Sequence, residues 1–372
     1  MNRIIILTIC LWIIAIALTV YKKNYYYLLL PLCVFILNEI LYATTGFEIT
    51  PASERTALFY DISMIPTKYF DVSPNYSEGY WPDGDYSISA ARAEHNKYDK
   101  IIELLGAKSG DTVLDLGCGT CSMAVYFKTK GITVTGVTLS PEQAANGKDL
   151  GIKVYVRDYD KFYPDFVNKY DHVVIMGSSE HLWCGAMHFK QSFENKNKQF
   201  DRVFNYCYKY LRPNGNIFYS GLHLNPKYME TVEVYDLERM YGSTLFLNAK
   251  GYTSFDSATR TGFNVVTYED HTHDYYMATV LDKDHFGNAS QPFTKLMIAL
   301  LIASIIYPPL LSMYFYYVFG LWMYMFDGKT HTRFTLNSAD PPSPPYSFEK
   351  NMDNRPWTLW WGVFSKPGLI PY

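Results

Sequence analysis

Residues 112–122, TVLDLGCGTCS, constrain the fold more than any other stretch of this 372-residue chain. Apolar residues bracket Asp115 and lead into Gly117 and Gly119, a pattern typical of a buried parallel strand that turns into a helix at residues 121–130. Glycines at such a corner let a ligand approach the backbone, and the free N–H groups of the helix start favour a negatively charged group. Ser122 stands where the dinucleotide fingerprint G-x-G-x-x-G has its third glycine, so the corner alone does not identify the ligand.

Strands and helices alternate after this corner. Ser140 is typical of a helix N-cap and Pro141 of a first helical position. The alternation predicts an α/β, Rossmann-like parallel sheet with helices on both faces. The predicted strands cover residues 113–116, 133–137, 154–156, 172–176 and 216–221, and the predicted helices cover residues 121–130, 141–150 and 200–211.

Polar residues and glycines stand at the carboxyl ends of five of these strands. They are Gly117, Thr138, Asp158, residues 178–180 and His223. Because ligands of open parallel sheets bind beyond the carboxyl ends of the strands, these side chains are expected along one edge. This set is more specific evidence for a binding site than the two glycines alone.

The sequence on either side of the alternating region is also patterned. A helix is predicted from residue 88 to residue 105, with Ser87 or Ser89 as its N-cap. After residue 225, a helical region leads to a return strand at residues 262–270 and a further strand at residues 275–281. We therefore expect one domain over residues 54–290.

Two apolar runs, residues 4–21 and 25–42, precede this domain. Each has about 17 or 18 residues, near the lower limit for crossing a bilayer core of about 30 Å. No small-x-small cleavage site follows Val20, so two apolar helices forming a membrane anchor over residues 1–45 are favoured over a signal peptide. A membrane hairpin and a re-entrant anchor both fit, and the topology stays open.

A third apolar run covers residues 293–326 and contains one lysine, no acidic residue and a Pro308–Pro309 interruption. It fits either a transmembrane segment or an apolar helical cap over a lipid pocket. The C-terminal tail, residues 327–372, has four prolines between positions 341 and 345 and is expected to be irregular there.

The composition excludes some classes of function. A formal charge of −3 and a pI near 6.3 give no basic surface for nucleic acid. The six cysteines are scattered, and Cys118 and Cys121 form one C-x-x-C without a second pair. We therefore expect reduced cysteines and no metal site.

Three motifs, VLDLGCGT, GVTLSPEQ and EHL, resemble those of S-adenosylmethionine (SAM)-dependent class I methyltransferases, and within them the cyclopropane-fatty-acid and mycolic-acid synthase group. The resemblance covers roughly residues 60–281. Most of the wider superfamily ends its second strand in an acid that binds the ribose, whereas this chain has Thr138-Leu139-Ser140 with Gln143, the version typical of the lipid-acting group. Fungal sphingolipid C-methyltransferases, with membrane segments before such a domain, are similar in plan.

The resemblance implies SAM as cofactor and assigns residues to it. Asp115, Gly117, Cys118 and Gly119 would surround the methionine half; Thr138, Leu139 and Gln143 would hold the ribose; Asp158 and Tyr159 would meet the adenine; and Tyr76–Ser77 would close over the cofactor.

The resemblance also implies a chemistry. Methyl transfer to a carbon–carbon double bond creates a carbocation, which requires a dry aromatic pocket and a base for one proton. In the family a bicarbonate ion is that base, and Glu180, His223 and Tyr317 (or its neighbour Tyr316) match the residues that hold it. Glu78 replaces the cysteine of the family's YSCAYF segment. A carboxylate there would repel bicarbonate or act as the base in its place.

The predicted function is methyl or methylene transfer from SAM to an unsaturated acyl or sphingoid chain of a membrane lipid, by an enzyme on the membrane with its catalytic domain facing the cytosol. Two alternatives remain open. The segment YSEGYW is also similar to the GYW segment of methyltransferases that act on small amines or quinol rings. A SAM-binding membrane protein without catalysis is the second alternative.

Overall fold

The computed structural model describes most of the chain. The described residues are 3–45, 53–54, 56–58, 60–61, 64, 78–85, 87–182, 191–224, 246–247, 254–272, 274, 301 and 357–368.

A mixed β-sheet with helices on both faces forms the core of the protein. Along the sheet the strands follow the order β3-β2-β1-β4-β5-β8-β7, and the short β6 pairs with β5. Strands β1 to β5 are parallel, and β8 is antiparallel to both of its neighbours. The strands are β1 (Thr112–Leu116), β2 (Thr133–Thr138), β3 (Lys153–Val156), β4 (Tyr170–Met176), β5 (Leu211–Leu224), β6 (Phe246–Leu247), β7 (Asn264–Asp270) and β8 (Trp357–Ser365).

Besides the helical residues of the segment 53–64, seven α-helices have bounds in the described part of the chain. They are α1 (Arg3–Lys22), α2 (Leu30–Thr45), α3 (Ala90–Leu105), α4 (Ser122–Thr129), α5 (Pro141–Asp149), α6 (Gln191–Tyr210) and α7 (Ser254–Arg260). Ser89 is the N-cap of α3, since its side chain accepts the N–H of Arg92, and Gly106 ends the helix in the left-handed region. Ser140 caps α5 in the same way through the N–H of Gln143.

The prediction of a Rossmann-like α/β fold is confirmed, with strands β1 to β4 within three residues of the predicted bounds. Strand β5 and helix α6 are both longer than the apolar pattern indicated. Two hydrophobic clusters flank the sheet, one around Phe127, Phe218 and Trp361, and the other around Phe204 and Tyr219. The central strands β1 and β4 therefore bury both of their faces, as expected for a parallel sheet covered by helices, whereas β3 and β7 at the two ends of the sheet are partly exposed.

The C-terminal strand β8 was not predicted. The tail was expected to be irregular around residues 341–345, which lie outside the described residues. Further along the tail, residues 357–365 pair with β5 over nine positions and with β7 on the other side. The predicted strand at residues 275–281 lies outside the described residues. Strands β7 and β8 are neighbours in the sheet, although 86 residues, 271–356, separate them in the sequence.

The two N-terminal apolar runs form helices α1 and α2, which pack against each other and against a 3₁₀ turn at Tyr25–Leu29. Most of the exposed large apolar side chains among the described residues lie here, between Ile6 and Ile40. Within the described ranges, the structure contains no helix with both the length and the apolar character needed to cross a membrane. Of the apolar run 293–326, only Leu301 is described.

Candidate functional site

An open cleft lies at the carboxyl ends of β1, β2 and β4. It is bordered by the glycine corner after β1, the start of α5 and the turn after β4. Its lining residues are Thr56, Tyr60, Tyr98, Asp115, residues 117–120, Ser122, Met123, Thr138, Leu139, Gln143, Tyr159, residues 176–178 and His181. Eight residues that the sequence assigned to a cofactor meet there: Asp115, Gly117, Cys118, Gly119, Thr138, Leu139, Gln143 and Tyr159.

The glycine corner is held against the neighbouring strands. The N–H groups of Gly117 and Cys118 both donate to the Val137 carbonyl, at 2.8 and 3.0 Å. The Ser178 hydroxyl donates to the Leu116 carbonyl at 2.6 Å, and it lies where a Cβ on Gly117 would be. Gly117 also has a φ of +97°, so both its backbone and its surroundings require glycine.

Asp115 places a buried carboxyl group in the wall of the cleft. Its side chain is almost fully buried, and this burial raises its pKa to about 7. The carboxyl group can therefore change its protonation state near neutral pH. A cation bound beside it would favour the ionised form.

Thr138 and Gln143 form a fixed pair at the end of β2. The Thr138 hydroxyl donates to the Gln143 side-chain oxygen at 2.7 Å, and both residues are buried. The N–H of Ser140 in turn donates to the Thr138 hydroxyl at 3.1 Å. This wall is neutral, and it can offer an amide and a hydroxyl to sugar hydroxyls.

Tyr159 and Asp158 follow β3 but differ in position. The Tyr159 hydroxyl donates to the Ser178 carbonyl at 2.8 Å, and burial raises the pKa of the phenol well above its usual value. Asp158 is not among the residues that line the cleft, and its carboxylate accepts the N–H of Asp160 at 3.1 Å. Tyr76 and Ser77, the other predicted cofactor residues, lie outside the described residues.

A segment before the sheet, here called the strap, contributes residues that the sequence analysis missed. The strap comprises the described residues between Ser53 and Met64. Thr56 and Tyr60 line the cleft, and the Tyr60 hydroxyl is hydrogen-bonded to His181 Nε2 at 2.5 Å. Asp61 accepts both the Ser140 hydroxyl at 2.6 Å and the N–H of Glu142 at 3.1 Å. Asp61 thus shares the cap of α5 and ties the strap to the end of β2.

Of Thr56, Tyr60 and His181, only His181 could have been found from the sequence, because it lies inside the EHL motif that pointed to Glu180. Thr56 and Tyr60 lie more than fifty residues before the glycine corner and match no motif. Only the fold brings them to the cleft.

Glu180 lies in the turn after β4 and His223 lies near the carboxyl end of β5, and neither is among the residues that line the cleft. A Glu180 carboxylate oxygen accepts the N–H of Leu222 at 2.7 Å, and His223 is completely buried one residue further on. The phenol oxygen of Tyr268, on β7, lies 3.5 Å from His223 Nε2. The fold therefore assembles a buried carboxylate and an imidazole next to the cleft residue His181.

Glu78 occupies a different environment from the cleft lining. One carboxylate oxygen accepts the Ser220 hydroxyl at 2.6 Å and the Trp361 indole N–H at 2.7 Å. The buried Lys97 ammonium donates to the Glu78 carbonyl at 2.6 Å. These contacts link β5, β8 and α3 through one acidic residue. Tyr317 and Tyr316, the predicted partners in catalysis, lie outside the described residues.

Cys118 and Cys121 lie close together in the glycine corner, with their sulfur atoms 3.8 Å apart. Both are free and buried, and the contact with the Cys121 thiol, together with burial, raises the pKa of Cys118. In the part of the chain that the structure describes, no group of three or more potential ligands could hold a metal ion.

Curated relatives align with part of the chain. A cyclopropane-fatty-acyl-phospholipid synthase from Escherichia coli (strain K12) is 33% identical over 129 residues, 33% of this chain and 32% of that protein. A sphingolipid C9-methyltransferase from Komagataella phaffii is 26% identical over 211 residues, 52% of this chain and 38% of that protein. The chain thus spans about a third of the length of these relatives.

A solved structure shows the same fold over most of the chain. The cyclopropane synthase MmaA2 from Mycobacterium tuberculosis superimposes with a TM-score of 0.59 at 16% identity, and covers 86% of this chain and 100% of its own. The family model described as mycolic acid cyclopropane synthetase matches residues 48–297, which include the strap and strands β1 to β7. The chain therefore belongs to the mycolic acid cyclopropane synthetase family.

Proposed function

We propose that this protein binds SAM in the cleft and transfers its methyl group, or a methylene derived from it, to an unsaturated acyl or sphingoid chain of a membrane lipid. One observation carries the proposal: in a chain of this family, the cleft gathers Asp115, the glycine corner and the Thr138–Gln143 pair at the carboxyl edge. The buried Glu180 and His223 stand at the neighbouring strand ends.

The residues of the cleft fit SAM. Asp115 suits the positively charged methionine half, and the neutral Thr138–Gln143 pair suits ribose hydroxyls. The Thr56 hydroxyl is buried at the cleft, and among the described residues it has no hydrogen-bond partner. Since buried polar groups are normally hydrogen-bonded, this hydroxyl suits a ligand atom. When bound, SAM supplies an electrophilic methyl group.

Glu180 is the residue best placed to remove a proton after transfer. Its backbone contact to Leu222 fixes the carboxylate, and His223 lies beside it in a buried setting that excludes water. Glu78 serves in this proposal to position β5 and β8, because Ser220 and Trp361 already engage its carboxylate.

The lipid acceptor is supported by the relatives, whose names include a fatty-acyl-phospholipid synthase and a sphingolipid methyltransferase. Helices α1 and α2 expose apolar side chains, and Lys22 and Lys23 stand at the turn between them. This arrangement suits insertion into one face of a bilayer. We place the protein on a membrane with its methyltransferase domain facing the cytosol, where SAM is supplied.

The test is transfer of a deuterated methyl group. The protein is incubated with methyl-deuterated SAM and vesicles containing unsaturated phospholipid or a sphingolipid, and the lipids are analysed by mass spectrometry. A gain of three deuteriums in the chain indicates a methyl branch, and a gain of two indicates a ring or a methylene. Label confined to a head group, or absent from every lipid, would refute the proposal.

Two variants separate the roles assigned to the carboxylates. Glu180→Gln keeps an oxygen for the Leu222 N–H but removes the base, so SAM affinity should be retained and lipid labelling should fall by at least about 100-fold. Glu78→Gln keeps an acceptor for Ser220 and Trp361 and should lose much less labelling. The opposite ranking would make Glu78 the base.

A further inference from the structure

We propose that the protein turns the carboxyl edge of its sheet toward the lipid bilayer, so that the acceptor chain enters the site from the membrane side. The proposal rests on the proposed function only in taking a lipid as the acceptor. It concerns the orientation of the domain, which neither the fold nor the family decides.

The first support is the connection from the N-terminal hairpin. Helix α2 ends at Thr45, and the strap begins at Ser53, so eight peptide units join them. Eight units span at most about 29 Å. The strap is bound to the carboxyl edge through Tyr60–His181 and through Asp61 at the start of α5. The apolar hairpin is therefore tethered to this edge of the sheet.

The second support is the connection between β7 and β8. Strand β7 runs parallel to β5 and ends at Asp270, which pairs with Trp360, while Trp357 at the start of β8 pairs with Leu224 at the carboxyl end of β5. The 86-residue connection therefore leaves and re-enters the sheet at the carboxyl edge. Its sequence includes the apolar run 293–326. Both strongly apolar parts of the chain are thus attached to the same edge.

Helix α3 extends between the two edges of the sheet, so positions at its two ends can report which edge lies nearer to the bilayer. The N–H of Tyr80 donates to the Ala93 carbonyl in the first turn, and the Asn216 amide of early β5 donates to the Leu105 carbonyl in the last turn. Ala91 and Glu103 are exposed near opposite ends of this helix. Twelve residues of helix separate them by about 18 Å along its axis.

The experiment measures the depth of these two positions. A coumarin amino acid is incorporated in the full-length protein at position 91 or at position 103, and the protein is mixed with dioleoylphosphatidylcholine vesicles that carry spin-labelled acyl chains. We expect vesicle binding and at least about twofold stronger quenching at position 91 than at position 103, because position 91 would lie roughly 18 Å nearer to the acyl chains along the helix axis.

Each other outcome overturns the proposal. Equal quenching, stronger quenching at position 103 or failure to bind vesicles would exclude this orientation. A control variant, Ile13→Asp with Ile16→Asp, changes two exposed side chains of α1 and should abolish quenching at both positions without unfolding the domain. Quenching requires no turnover, so a protein that docks as expected yet labels no lipid would refute the proposed function and leave the orientation standing.

Discussion

Asp115 is almost fully buried in the wall of the cleft, and its pKa of about 7 follows from that burial. If the cationic half of SAM binds beside it, binding favours the carboxylate and must release the proton held below pH 7. We expect SAM affinity to rise with pH, by up to about tenfold per unit below pH 7, and to level off above it.

Calorimetry in buffers of different ionisation enthalpy measures this proton release. The Asp115→Asn variant is the control, since it retains the shape of the side chain and should show no such release. Equal pH dependence in both proteins would mean that Asp115 does not face the cation.

Replacing Gly117 or Gly119 with alanine should reduce the stability of the protein by different amounts. A Cβ on Gly117 would overlap Ser178 and would also require a positive φ, whereas a Cβ on Gly119, with φ of +50°, has no atom within 4 Å. Gly119→Ala should cost about 1–2 kcal/mol from backbone strain alone. Gly117→Ala should cost more and should displace the loop. Thermal unfolding and SAM titration of both variants test this, and a more severe Gly119→Ala would contradict it.

At the scale of elements, the link between Glu78 and Trp361 holds β8 in the sheet. Trp361→Phe keeps an aromatic ring but removes the five-membered ring and the indole N–H that donates to the buried carboxylate. Since hydrogen bonds to charged groups contribute about 1.5–3 kcal/mol and the smaller side chain leaves a cavity, the free energy of unfolding should fall by at least that amount. Trp360→Phe is the matched control, because this half-buried residue stacks on Tyr268 at 5.0 Å without a role at Glu78. Denaturant unfolding that ranks the two variants equally would exclude the role of the hydrogen bond.

At the scale of the whole molecule, the two ends of the chain contribute differently to folding. Strand β8 lies between β5 and β7, so deletion of residues 357–372 would leave a gap inside the sheet and expose backbone groups on both neighbours. Among the described residues, helices α1 and α2 contact mainly each other and the 3₁₀ turn between them. We expect the first deletion to abolish cooperative thermal unfolding, and deletion of residues 1–45 to preserve it. Circular dichroism of both proteins would show the difference, and a folded β8 deletion would be inconsistent with this sheet.

Local sequence determined much of the secondary structure of this protein. The strand at residues 112–116 is a short apolar run before a glycine corner, and the cap of α5 is Ser140 followed by Pro141, so neighbouring residues are enough to predict both. The α/β alternation, the family resemblance and the gathering of the β1 and β2 end residues followed from the same local patterns.

Only the tertiary structure decided which distant segments complete the sheet and the cleft. Trp361 contacts Glu78, which is 283 positions away in the sequence, and Tyr60 contacts His181, which is 121 positions away. A periodic sequence pattern carries no information about contacts over such separations. Strand β8 was missed because its partners are β5 and β7 rather than an adjacent run. Local patterns reflect the rise and pitch of each element, whereas these contacts depend on how the finished sheet folds the chain back on itself.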